Sequence, residues 1–135
     1  MSFVKFHSKA GGAFFFLPET QKQVFKLLGR PCTESGAIAP EEAAEWIRIL
    51  DAAVERDKRE RKAQEEDRRA RREKNRLGFR GKALHEAKLW DEEERLEEEE
   101  RDAGAKVPLS ARLYPLLRML REAVKEGEMV MWGVP

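Results

Sequence analysis

The side chains able to do chemistry are few and scattered. The chain has two histidines, His7 and His85, and one cysteine, Cys32. A catalytic imidazole needs an acid or nucleophile within reach, and a zinc site needs several ligands close together. His7 stands alone in an alternating segment and reads as a half-exposed strand residue. His85-Glu86 opens like the helix motif of zinc proteases, but the fourth position on from His85 is Leu89, so the ligand pair is missing. Cys32 follows Pro31 with no histidine beside it, which reads as an unreactive thiol. Gly11-Gly12 lies outside any phosphate-binding glycine pattern and marks a turn. The carboxylates of Glu92 to Glu94 sit in a run of charges, without the apolar surroundings that shape a catalytic acid and base. No catalytic, cofactor-binding or metal-ligating set is expected, and a non-enzymatic protein follows.

Binding chemistry has two candidate sources. One is the basic cluster Arg68, Arg69, Arg71, Arg72, Lys74 and Arg76, whose charge density suits a phosphate backbone. It resembles the basic region of a leucine-zipper factor in charge alone, since the sustained leucine heptads that should follow are missing. The other source is aromatic. Phe14, Phe15 and Phe16 form a run, and Met131-Trp132 lies near the far end. Side chains alternate across a strand, so a triple Phe places at least one ring on each face of a sheet.

Charge arithmetic weighs between the two. Across 135 residues, 27 Lys and Arg stand against 26 Asp and Glu, a net of +1. That neutrality is segregated: residues 55–82 hold 13 basic and 7 acidic side chains, and residues 83–102 hold 3 and 10. An acidic stretch beside the arginines competes with phosphate. Nucleic acid is therefore the rival and disfavoured partner, and protein, including a second copy of the chain, is the favoured one.

The elements that must position these residues follow from periodicity. Phe3 to Ser8 alternates as a half-buried strand, Ala10-Gly11-Gly12 reverses the chain, and Ala13 to Leu17 is an apolar run of strand length, together a β-hairpin. Pro18 closes the second strand, Thr20 and Gln23 have capping-box spacing, and a helix runs to Leu28 with Gly29 as its stop. Residues 30–40, with two prolines and a glycine, read as a loop. Pro40 opens a second helix whose inward face is Ala43, Trp46 or Ile47, Leu50 and Val54.

After Val54 the apolar stripe ends. Ala, Glu, Arg and Lys favour helix, so the charged stretch reads as a long arm or, with a reversal at Leu77-Gly78-Phe79-Arg80-Gly81, a helical hairpin. A solvated helix or partly disordered insertion is the simpler alternative. Ala63, Ala70, Leu77 and Leu84 recur every seven residues, as do Leu89 and Leu96, which gives a thin candidate seam. Globular character returns at Val107. Leu113, Leu116 or Leu117, Leu120 and Val124 trace another helical face up to Gly127, with Pro115 either starting or bending that helix. Met129 to Trp132 reads as a last strand.

No run approaches the roughly 18–20 apolar residues that span a bilayer, and the five apolar residues Ala13–Leu17 are too few for a signal peptide. A single cysteine forms no internal disulfide, as befits a reducing compartment. The expected setting is cytoplasmic, without a membrane partner.

At its two ends the chain resembles a known family. The residues concerned are Phe3 to Ala10, Val24 to Arg30, Gly36-Ala37-Ile38, Leu109 to Leu120 and Trp132-Gly133-Val134. They are similar to a family of small bacterial proteins catalogued as a domain of unknown function, number eighteen-forty. The resemblance covers residues 1–54 and 107–135, and it implies an architecture without an activity, cofactor or catalytic residue. The expected fold is α+β: a three-stranded antiparallel sheet, made from the N-terminal hairpin and the C-terminal strand, covered by helices on one face. Residues 1–54 and 107–135 make one discontinuous domain, and 55–106 are a charged helical insertion.

Overall fold

The structure is a computed structural model in which residues 3–78 and 86–134 are described. The elements in order are β1 (Val4–Ser8), β2 (Gly12–Phe16), α1 (Pro18–Leu28), β3 (Gly36–Ile38), α2 (Pro40–Gly78), α3 (Glu86–Ala105), α4 (Leu109–Glu126) and β4 (Val130–Gly133). They form two compact units, one from Met1–Arg56 and Leu109–Pro135, the other from Asp57–Pro108.

The first unit holds a four-stranded antiparallel sheet in the order β2-β1-β4-β3. The expectation of three strands is corrected by β3, which lies inside the segment read as a loop. Its three residues pair as Gly36↔Trp132, Ala37↔Met131 and Ile38↔Val130. The pairing places β4 inside the sheet, between β1 and β3, so Met131 and Trp132 do not lie on an edge. The edges are β2 and the short β3.

Alternation decides which side chains enter the core. Val4, Phe6, Phe16, Ile38, Val130 and Trp132 are buried in one apolar cluster with Val24 and Phe25 of α1, with Ala43, Trp46, Leu50, Ala53 and Val54 of α2, and with the apolar stripe of α4. Phe6 is the hub: its ring stacks on Phe14 at 5.3 Å, meets Phe16 edge-on at 5.4 Å and lies 5.8 Å from Trp132. In α4 the buried stripe includes Leu113, Leu116, Leu117, Leu120 and Ala123, while Val124 is exposed, so the face turns one residue earlier than the leucine spacing suggests.

Helix ends follow local rules with two departures. The backbone N–H of Gly29 donates to Lys26 O and that of Arg30 to Phe25 O, with Gly29 left-handed at φ 69°. Gly127, at φ 67°, closes α4 in the same way. These are Schellman closures, in which glycine avoids the strain a Cβ would meet. The capping box at Thr20 and Gln23 is not formed: the helix starts earlier, at Pro18, after Leu17 and without a side-chain cap. Proline at the first helical position needs no N–H there, so Pro18 begins the helix. Pro115 lies inside α4, which runs through it from Leu109, and the ring leaves the Ala111 carbonyl without its usual N–H partner.

In the second unit, α3 and the part of α2 beyond Arg56 are joined by ion pairs. Among the described residues of this unit, Leu96 is a fully buried apolar side chain. The alanine and leucine seam is corrected: Ala63 and Ala70 are exposed and Leu77 is 56% exposed. Asp57, Arg61, Arg68, Arg71 and Asn75 are half-buried or buried instead. Arg61, Arg68 and Asn75 keep the seven-residue period in another phase. Arginine does this because its methylenes cover apolar surface while the guanidinium reaches a carboxylate. The reversal expected at residues 79–81, Leu84 and the His85 motif lie outside the described residues, as does the side chain of Leu89.

Candidate interaction site

The five residues of β2 are Gly12, Ala13, Phe14, Phe15 and Phe16, with no charged side chain and no proline among them. One side of the strand pairs with β1, in the register Lys5↔Phe15, Phe6↔Phe14 and His7↔Ala13. Among the described residues, no strand lies on its other side. Lysine, proline, bulges and shortness are the common ways of protecting such an edge. β3 is protected by its length of three residues, and β2 carries none of these devices.

Alternation splits the three phenylalanines. Phe16 is buried and Phe14 half-buried, both in ring contact with Phe6, whereas Phe15 is 57% exposed. Trp132 is buried and its indole N–H donates to Thr33 O at 3.3 Å. Phe16 and Trp132 are thus spent on the core, and of the aromatic candidates Phe15 is the one presented to solvent. Met131 is half-buried on the same side of the sheet as His7 and Ala37, its neighbours in register.

A cleft of about 320 Å³ adjoins β2 and is lined by Gly11, Ala13 and Phe14 together with Tyr114, Pro115, Arg118, Met119 and Glu122 of α4. A Cβ on Gly11 would lie 3.8 Å from Met119 Cα, so the hairpin turn approaches the helix backbone closely. Arg118 and Glu122 are paired one turn apart at 3.7 Å. Sequence reasoning missed Tyr114, Arg118 and Glu122. Their i, i+4, i+8 spacing on the face away from Leu113 and Leu117 is the signal that finds them.

The basic cluster has a different fate. Arg71 bonds to Glu99 and lies 3.5 Å from Glu92 and 3.2 Å from Asp67. Arg72 reaches Glu100 at 2.8 Å and Glu93 at 3.7 Å, and Asn75 donates to Glu93 at 3.3 Å. Arg69 pairs with Glu65 and Arg76 with Glu73 within α2. Lys74 is exposed, and Arg68 is half-buried with its Nε lacking a hydrogen bond. Beside these lies a cleft of about 690 Å³ lined by four basic and six acidic side chains.

The pKa shifts agree with this pairing. Hydrogen bonds to Glu99 and Glu100 hold the Arg71 and Arg72 guanidinium pKa values above their ordinary range, and the bond from Arg72 holds Glu100 below its own. Cys32 is exposed, and among the described residues no group of three or more His, Cys, Asp or Glu side chains is placed to hold a metal. No described helix is long and apolar enough to cross a membrane.

No curated protein and no solved structure matches the chain at a significant level. A family profile does match, over residues 2–132, and this span takes in the charged helices as well as the two ends: the chain belongs to the family described as a domain of unknown function, DUF1840.

Proposed function

We propose that this chain is a non-enzymatic protein-interaction module in which helices cover one face of the sheet, and the uncharged β2 edge with its exposed Phe15 receives a protein partner. The observation that carries the reading is Phe15 itself, a large apolar ring 57% exposed on an open strand edge. Burying such a ring contributes roughly 1.5–3 kcal/mol, and a strand edge adds main-chain hydrogen bonds to whatever strand docks there. The paired state of Arg71 and Arg72 supports protein rather than nucleic acid as the ligand, because a phosphate would have to displace carboxylates already in place.

The test compares the intact chain with its Phe15→Glu variant, using sedimentation at several concentrations and affinity capture with identification of the retained proteins. A protein complex, with itself or with another chain, that is lost in F15E is the expected result. A chain that is monomeric throughout and retains the same proteins as F15E overturns the reading.

A further inference from the structure

We infer that the partner at this edge is a second copy of the chain, with β2 pairing antiparallel to β2 about a two-fold axis at Phe14 and two four-stranded sheets becoming one of eight strands. The inference rests on the reading of β2 as a protein-docking edge and specifies its occupant.

Two features of the edge are self-complementary. The strand has small residues at one end, Gly12 and Ala13, and large ones at the other, Phe15 and Phe16. Antiparallel pairing centred on Phe14 sets Ala13 of one copy opposite Phe15 of the other, and Gly12 opposite Phe16. Each exposed Phe15 ring then lies over a methyl group and not against a second ring, the small-to-large fit that close packing favours. Directly opposed side chains in such a ladder stand about 4.5–5.5 Å apart at Cβ, within contact distance for this pair.

Charge obeys the same symmetry. Arg118 and Glu122 line the cleft beside β2, one turn apart on α4. A two-fold axis reverses the direction of α4 in the second copy, so the Arg118–Glu122 pair of one helix runs opposite to that of the other and brings no net like charge to the edge. A contact of this kind is isologous and closes at two copies, so the unprotected edge does not propagate into a fibre. Closure also accounts for the absence of a lysine or proline on β2: the device that would block aggregation would block the dimer as well.

Sedimentation equilibrium on the full chain, with far-UV circular dichroism as a check on folding, is the test. Wild type is expected to approach twice its 15.7 kDa mass as concentration rises. F15E and A13K, each of which loses the small-to-large contact, are expected to dimerise at least tenfold more weakly with unchanged secondary structure. Mixing F15E with A13K should recover association, since the carboxylate introduced in one copy then faces the ammonium introduced in the other. Amide exchange in β2 should slow on dimerisation. A wild-type chain that stays at 15.7 kDa at millimolar concentration while still capturing another protein through Phe15 overturns this inference and leaves the interaction reading standing. A dimer that F15E and A13K do not weaken, or a mixture that fails to recover, also overturns it.

Discussion

Arg72 donates from Nη1 to Glu100 Oε1 at 2.8 Å, and the two residues stand 28 positions apart on different helices. This bond joins the basic stretch of the sequence to the acidic one. A net charge of +1 conceals segregated charge, and the structure brings the two halves together through pairs of this kind, Arg71 with Glu99 among them.

The first prediction follows from that bond. Arg72 holds the Glu100 carboxyl below its ordinary 4.5, first by the hydrogen bond and then by its charge, against some desolvation. A carboxyl whose pKa is lower folded than unfolded contributes stability that is fully present above the unfolded value and lost as pH falls through the folded one. The helical signal of residues 57–108 is therefore expected to hold from neutral pH down to about 4.5 and to fall below it. Both groups are largely solvated, so the loss should be gradual and sensitive to salt. Raising ionic strength from about 0.01 to about 1 M shortens the screening length from about 30 to about 3 Å and should lower the melting temperature of this unit. Circular dichroism across pH and salt checks it, and R72E should mimic acid while R72E with E100R restores the helix.

Gly36 carries the second. A Cβ there would stand 2.9 Å from Trp132 Cε2 and closer still to Cζ2, within a buried indole that has little room to move. Gly36→Ala is expected to destabilise the chain by about 1–3 kcal/mol, the usual cost of overpacking. Urea unfolding measures the change, and a shift in Trp132 emission should accompany it. A neutral substitution would mean that the indole has another position available.

Phe6 carries the third. It is fully buried and in ring contact with Phe14, Phe16 and Trp132. Phe6→Ala removes the shared member of all three contacts, and the expected cost is about 3–5 kcal/mol. A small domain has only some 5–15 kcal/mol in total, roughly, so the variant should show a much lower denaturant midpoint or fail to fold.

The parts legible in the sequence are those with a strong period. Val4 and Phe6 alternate, Ala43, Trp46 and Leu50 recur at helical spacing, and Gly29 and Gly127 close helices where a left-handed residue is needed. β3 escapes such a reading because three residues between prolines are too few to show alternation, and its strand character comes from pairing with β4 rather than from Gly36, Ala37 or Ile38. Strand order is likewise a tertiary property: nothing local in Met131-Trp132 says that it has a neighbour on each side. The seam of the charged helices has the expected seven-residue period in a different phase. Periodicity rules turn apolar side chains inward, whereas here Arg68 and Arg71 are half-buried, with their Nε atoms out of contact with solvent.

The last prediction concerns the division into two units. Among the described residues, the core of the first unit is built from residues up to Val54 and from Leu109 onward. Joining Arg56 to Leu109 by a Gly-Ser linker should therefore leave that core intact, with fraying limited to the shortened end of α2. Tryptophan reports on this cleanly, because Trp46 and Trp132 remain and Trp90 leaves with the deleted segment. Near-UV circular dichroism from the two buried indoles and a cooperative thermal transition are the expected readings. A deletion protein with neither would show that the charged helices are needed for the fold, and residues 57–108 would then have to be treated as part of the domain.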